Sequence, residues 1–396
     1  MWNLTAARPR RVILSVLLAG SVLTACGGGV SGTGTGGGGG SSDTGGRSGE
    51  GTGGERATGG TGGMGGHGTG TGGRPSSTGG SSGSQPHSSF YVQDDKVYDR
   101  CGERVVLRGV NRMAIYDDPD GKSYPSIAKT GANAVRIMWM TDDSVSADQL
   151  AGNLQAAVDA KLIPIPGLWD ATGDFSKMND VETWWTRDDV VKVVKQFADK
   201  MIVNIANEAG SDVPDGTWTS TYNRIIMHLR QVGIHALLAV DAANYGRNVE
   251  QLLRLAPAVL AADPDHNVLF DWHEYDAGDT EKARITKSFD GAVAAKLALM
   301  VGEFANGGSG ACSRPIPYTH LIAEAQRTGV GYFPWSWDNF NGDCKSGGSS
   351  IFDMVGDPMD FGSLKSGWPT EVCLSDPNSI QKTSVRPHSM VDGTCQ

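Results

Sequence analysis

No glycine-rich phosphate turn follows the first apolar strand of this chain, where Arg108-Gly109-Val110-Asn111 stands instead. A doubly wound open sheet would want a GxGxxG turn there, so that architecture is disfavoured. Cysteines are few, six in 396 residues, and widely spaced, with no CxxC pair and no HExxH run. Zinc therefore has no recognisable motif, and no cofactor or metal is expected. Basic charge is scarce: Lys and Arg number 34 against 44 Asp and Glu, a formal net charge of −10, with no basic stripe. Nucleic acid is accordingly not an expected partner. The apolar stretch Val12 to Leu23 is too short to cross a bilayer as a mature helix.

That stretch follows Arg8, Arg10 and Arg11, so residues 1–25 read as a signal peptide. Leu23-Thr24-Ala25-Cys26 resembles the bacterial lipobox, in which the cysteine is lipidated and becomes the mature N-terminus. An ordinary secretory signal with a chance cysteine is the alternative. The expectation is export to the bacterial cell surface or outer membrane as a lipoprotein, or secretion, with the membrane touched only through the lipid on Cys26. Residues 26–89 are almost wholly Gly, Ser and Thr and cannot bury a core, so they form a flexible linker. Such a linker would reach about 40–50 Å.

Residues 90–396 suffice for one large core and one catalytic domain, expected to be a monomer. Short apolar runs recur in it with helix-like segments between them, the pattern of βα units on a parallel sheet. The runs are Val105–Asn111, Ala134–Trp139, Leu162–Leu168, Ile202–Glu208, Ala236–Asp241, Val268–Tyr275, Leu297–Phe304 and Val330–Ser336, eight in all. Helices are expected over Ser146–Lys161, Thr186–Lys200, Tyr222–Gln231, Val249–Ala262, Glu281–Phe289 and Thr319–Arg327. The fold class is therefore α/β, a (β/α)8 TIM barrel.

Export permits disulfides. Cys312 and Cys344 follow strands that should be neighbours and are favoured as a pair, while Cys373 with Cys395 would close the tail and leave Cys101 free. Pairing of Cys101 with a tail cysteine is the alternative, because the two ends of a barrel meet.

A barrel keeps its chemistry at the C-terminal ends of its strands. Polar and aromatic residues collect there: Asn111, Arg136 and Trp139, Trp169 and Asp170, Asn207 and Glu208, Asp241, His273 and Tyr275, Glu303, then Trp335 and Trp337. Glu208 and Glu303 each close an apolar run, on the fourth and seventh strands. Two carboxylates facing each other across a glycosidic bond can act as acid/base and nucleophile. Arg136 is the cation available to Glu303, and a cation beside one carboxylate but not the other separates their roles.

The runs Leu107-Arg-Gly-Val-Asn111, Thr130-Gly-Ala-Asn-Ala-Val-Arg136, Ile205-Ala-Asn-Glu208, His273-Glu-Tyr275, Val301-Gly-Glu-Phe304 and Trp335-Ser-Trp337 follow one another on successive strands. In this the chain resembles glycoside hydrolase family 5, among the retaining glycosidases of clan A, over Val97 to about Phe340. Asp170-Ala-Thr-Gly173 and Asp241-Ala-Ala243 make it most similar to bacterial endo-β-1,4-mannanases. The resemblance implies that Glu208 is the acid/base and Glu303 the nucleophile. It implies too that Asn207 holds the sugar 2-hydroxyl, that Arg136 and Tyr275 hold Glu303 ionised, and that His273 orients the sugar or sets the proton of Glu208. Trp335 would be the platform under the reacting sugar; Trp139 is expected as a further contact because it ends a strand. Trp169 stands where these mannanases usually carry a histidine, which leaves the polymer open. Mannan comes first, a β-1,4-glucan such as cellulose second, and a surface polysaccharide-binding protein of impaired activity is the reading from another class.

Overall fold

The computed structural model describes residues 87–396 apart from 143–144, 279, 309–310, 343, 347–348 and 396. The expected signal peptide, Cys26 and all of the expected linker except residues 87–89 lie outside the described residues.

Eight parallel strands form one sheet in chain order: β1 (Gly109–Arg112), β2 (Ala134–Trp139), β3 (Ile163–Leu168), β4 (Ile202–Asn204), β5 (Leu237–Asp241), β6 (Val268–Glu274), β7 (Leu299–Phe304) and β8 (Gly331–Pro334). The sheet closes on itself, since Tyr332 N donates to Leu107 O at 3.1 Å and Trp337 N to Asn111 O at 2.9 Å. Outside it run α1 (Ala147–Asp159), α2 (Asp188–Phe197), α3 (Asp215–Gln231), α4 (Val249–Ala262), α5 (Glu281–Ala294) and α6 (Tyr318–Thr328). Ser146 caps α1 by accepting from Gln149 N at 3.1 Å, and Asn248 caps α4 by accepting from Gln251 N at 3.1 Å. On α2 the residues Val190, Val191, Val193, Val194 and Phe197 are buried against the sheet. Each such side chain contributes about 1.5–3 kcal/mol on leaving water.

The expected barrel is present, with two boundary differences that have physical causes. The run from Val105 is not one strand: Arg104–Val105 pairs antiparallel with Lys96–Tyr98, which pairs with Tyr91–Gln93. This small sheet covers the N-terminal end of the barrel. Regular pairing of β4 stops at Asn204, four residues before Glu208, as the backbone leaves the extended form to reach a left-handed Glu208, although Ile205 N still donates to Ala239 O and Asn207 N to Leu168 O.

Residue parity decides what fills the barrel. Side chains alternate sides along a strand, and the inward positions are apolar toward the N-terminal end: Ala134, Ile163, Ile165, Ile202, Leu237, Ala239, Leu269, Ala298, Met300 and Phe333 form one buried cluster with Phe90. The next layer toward the C-terminal ends is polar, with Arg136, Asn204, Asp241 and Asp271 all fully buried. Glycines make room for it. A Cβ on Gly302 would stand 2.2 Å from Asp271 Oδ2, and one on Gly167 would stand 2.3 Å from Asn204 Oδ1.

The chain enters at the apolar end. Ser89 Oγ donates to His235 O at 3.0 Å, Asn267 Nδ2 donates to Phe90 O at 3.0 Å, and the Phe90 side chain is wholly buried. Cys101 and Cys395 form a disulfide there. The favoured Cys373–Cys395 pairing is thus overturned: Cys373 is a free, buried thiol in the turn Glu371–Ser375. The tail instead runs on to the start of the domain, where Arg100 Nη2 donates to Gly393 O at 2.6 Å. Cys312 and Cys344 are bonded as expected, tying the hairpin strand Ala311–Pro315 after β7 to the segment after β8.

Candidate active site

Arg136 organises the polar layer. Its Nη1 donates to Glu303 Oε1 at 2.8 Å and to Asn111 Oδ1 at 3.2 Å. Its Nη2 donates to Asn207 Oδ1 at 2.7 Å, Asn204 Oδ1 at 3.0 Å and Asp241 Oδ2 at 3.2 Å, and its Nε faces Asp271 Oδ2 at 3.3 Å. Burial alone would lower the Arg136 pKa, but the charges of Asp271, Asp241 and Glu303 outweigh it and raise it. Removing this cation would strand three buried carboxylates, a loss of about 3–5 kcal/mol for even one broken pair.

Glu303 sits at the end of β7, 3% exposed, with Oε1 on Arg136 and Oε2 accepting from the Tyr275 hydroxyl at 2.9 Å. Glu208 faces it, since carboxylate oxygens of the two residues and a ring nitrogen of His273 all lie within 4.8 Å of one another. Among the described residues no arginine forms an ion pair with Glu208. Its Oε1 lies 2.9 Å from His273 Nδ1, and burial first, then the charge of Glu303, pushes its pKa up. The two carboxyls therefore differ as an acid and a nucleophile must.

The backbone at Glu208 is left-handed, φ 47°, uncommon for a side chain of this kind. Its N–H donates to Asp241 Oδ2 at 2.8 Å and its carbonyl accepts from Gly173 N at 3.0 Å. Asn207, one residue earlier, donates from Nδ2 to Thr172 Oγ1 at 3.0 Å. The Asp170-Ala-Thr-Gly173 segment thus clamps the acid in place. Asp170 itself accepts from Thr141 N and Oγ1, both at 2.8 Å, and supports the loop.

Three contributors were not singled out from the sequence: Asn204, Thr172 and Asp271. Asp271 offered one signal, a charge within the apolar run Val268-Leu-Phe-Asp-Trp-His273 at the same parity as His273. Asp241 is pushed up to about 6 by burial and by Asp271, against the pull of Arg136. Donor atoms of Asp241, Asp271 and His273, like those of Glu208, His273 and Glu303, lie close enough together to suit a cation. Arg136, however, already supplies positive charge to Asp241, Asp271 and Glu303.

Trp335, buried except for 8% of its surface, lies nearly parallel to the partly buried Trp169, with ring centroids 5.7 Å apart and planes 15° apart. Its Nε1 donates to Asn341 Oδ1 at 3.2 Å. Trp139 is corrected: it is wholly buried in the layer between sheet and helices and offers no face to a substrate. Arg136 points inward on β2, so Trp139, at the opposite parity, points outward.

A family model described as cellulase (glycosyl hydrolase family 5) matches residues 98–341. A mannan endo-1,4-beta-mannosidase of Streptomyces lividans is 32% identical over 308 residues, 74% of this chain and 76% of that one. One from Salipaludibacillus agaradhaerens is 29% identical over 259 residues, 63% of this chain and 82% of that one. The catalytic domain of a mannanase from Streptomyces sp. SirexAA-E superposes with a TM-score of 0.67 at 26% identity, covering 80% of this chain and 98% of that structure.

Proposed function

Because the chain belongs to glycosyl hydrolase family 5, we propose that it is an endo-β-1,4-mannanase acting with retention of configuration. The observation that carries the reading is the close approach of Glu208 and Glu303, with atoms within 4.8 Å, in unlike surroundings. Inverting enzymes keep their carboxyls about 6.5–9.5 Å apart to admit water, and retaining enzymes about 5–5.5 Å. The mannanase relatives support mannan as the polymer.

In the first step Glu303 attacks the anomeric carbon, the glycosidic C–O bond breaks, and Glu208 gives its proton to the departing oxygen. Arg136 and Tyr275 hold Glu303 so that its attacking oxygen stays on line, and Asn207, fixed by Arg136 and Thr172, presents its amide to the sugar 2-hydroxyl. Formation of the ester removes the charge of Glu303, and with it one reason for Glu208 to hold a proton. Glu208 then takes a proton from water, whose oxygen attacks the same carbon and releases Glu303. Trp335 and Trp169 supply apolar faces for pyranose rings.

Reducing-sugar release from glucomannan, galactomannan, carboxymethyl-cellulose and xylan tests the reading. Mannans should be cleaved best; release from xylan alone would replace the substrate, and none from any polymer would sink the hydrolase claim. Proton NMR of the first product should show the β-anomer. Glu303→Ala should abolish release while polysaccharide binding persists, which separates an enzyme from a binding protein.

The lipobox-like Leu23-Thr24-Ala25-Cys26 supports a second part of the proposal, that the enzyme is exported and held at the bacterial surface by lipid on Cys26. Cys26→Ser should then move activity from the membrane fraction to the medium, and an unchanged distribution refutes the anchor.

A further inference from the structure

Behind His273, on the side away from Glu208, lies a carboxylate that the two-step reaction does not use. Asp271 is wholly buried, and neither of its oxygens accepts a hydrogen bond. What faces it is the guanidinium of Arg136, with Nε at 3.3 Å, and ring nitrogen Nε2 of His273 at 3.7 Å. The site is built for it, because any side chain on Gly302 would collide with it at 2.2 Å.

Each nitrogen of His273 looks at carboxylates. Nδ1 faces Glu208 Oε1 at 2.9 Å and Glu303 Oε1 at 3.6 Å, while Nε2 faces Asp241 Oδ2 at 3.6 Å and Asp271 Oδ2 at 3.7 Å. A ring nitrogen without a proton would turn its lone pair on those oxygens, so both nitrogens favour N–H. Asp241 is already engaged by Glu208 N, Arg136 and Asn204. Asp271 has no such hydrogen bonds and is the counter-charge left for Nε2. From β2, Arg136 opposes a second cation, and the loop after β5 contributes the Gly246 carbonyl, which accepts from His273 N at 2.8 Å. Burial too would push His273 down, yet Glu303, Asp271 and Glu208 together hold it well above the ordinary histidine value.

The proton on Nδ1 of His273 decides which oxygen of Glu208 carries the catalytic proton. A neutral ring, with carboxylates facing Nε2, would keep its one proton on Nε2 and leave Nδ1 bare. If Nδ1 is an N–H, Oε1 must accept from it, and the acid proton sits on Oε2, free for the leaving group. If Nδ1 is bare, Glu208 can donate Oε1–H to it, and the proton is spent inside the protein. We propose that Asp271 is a positioning residue that keeps His273 doubly protonated and so keeps the proton of Glu208 on the oxygen that serves the substrate. This rests on Glu208 being the acid/base.

Nitrogen-15 NMR of histidine-labelled protein without substrate, paired with rates on two leaving groups, tests it. In the wild type His273 should show two protonated nitrogens at about pH 7. In Asp271→Asn it should become neutral between about pH 5 and 8. The kcat/KM of that variant should fall about tenfold or more on a mannan, whose leaving group needs the acid, and at most about threefold on a dinitrophenyl glycoside, which does not. A neutral His273 in the wild type overturns the proposal, as does a His273 still charged in the variant or an equal loss on both substrates. Should Asp271→Asn melt early, Asp271→Ser, smaller and equally uncharged, is measured in its place with the same expectations. A charged His273 in a protein that cleaves no β-1,4-glycan would refute the hydrolase reading instead.

Discussion

Tyr275→Phe isolates one contact to the nucleophile. The hydroxyl donates to Glu303 Oε2 at 2.9 Å, while Oε1 remains on Arg136. The ring packs edge-on against Phe352 with centroids 6.1 Å apart, a contact that Phe preserves. The perturbation thus removes one hydrogen bond to a charged acceptor and leaves shape intact. Such a bond contributes about 1.5–3 kcal/mol. Because the bond already exists in the free protein, only the part that places Glu303 for attack reaches kcat/KM, so a fall of about tenfold is expected and about 150-fold is the ceiling. The assay is kcat/KM on a soluble mannan, which reports the step that forms the glycosyl-enzyme, beside a thermal melt expected to fall by a few degrees as the buried carboxylate loses that bond. A value within about threefold of wild type would refute the role. A rise in KM with kcat intact would move Tyr275 from the nucleophile to the sugar.

Glu208→Ala should lower kcat/KM on mannan by about 10²–10⁴-fold, and on a dinitrophenyl glycoside, whose leaving group needs no acid, azide should restore turnover as a β-glycosyl azide; an α-product would exchange the two roles. Burial and the charge of Glu303 raise the pKa of Glu208, so activity needing its proton persists above the ordinary glutamate range and is lost as pH rises through the folded value. An alkaline limb within the ordinary glutamate range contradicts this, and Glu303→Gln, by removing the like charge, should shift the Glu208 carboxyl titration in carbon NMR downward. Trp169→Ala should raise KM on mannan about two- to tenfold, the worth of one ring contact, and an unchanged KM would remove Trp169 from the binding surface. Cys101→Ser with Cys395→Ser should lower stability by about 2–5 kcal/mol without changing kcat, read from denaturant melts and initial rates.

The eight strands were legible because each is an apolar run bounded by turns, and both glutamates because they end such runs. Less obvious was the effect of parity. Trp139 and Arg136 both look like strand-end residues, but three positions along a strand reverse the direction of a side chain, and only Arg136 reaches the interior. Asp271 was legible by the same parity and was hidden by the apolar residues around it. Its meaning depends on Gly302 from the next strand, a contact that no spacing within one run reveals. The Cys101–Cys395 bond depends on where a tail of short turns travels after β8, and cysteine spacing carries no such information. Glu208 could be read as an acid, but not its left-handed backbone, which comes from Asp241 and Gly173 holding it from two neighbouring segments.

The entry of the chain beside Phe90 has an orienting consequence. Whatever precedes residue 87 joins the domain at its apolar end, where Ser89 and Phe90 meet His235 and Asn267. The carboxylates open at the opposite end. Anything that holds the chain through residues before 87 would therefore pull on the face opposite the cleft. A pull along the chain would reach Phe90, then the small antiparallel sheet, and then the Cys101–Cys395 bond, which joins the first and last segments of the domain. Tension from that side would be shared there by both ends of the domain before it could reach the strands that hold Glu208 and Glu303.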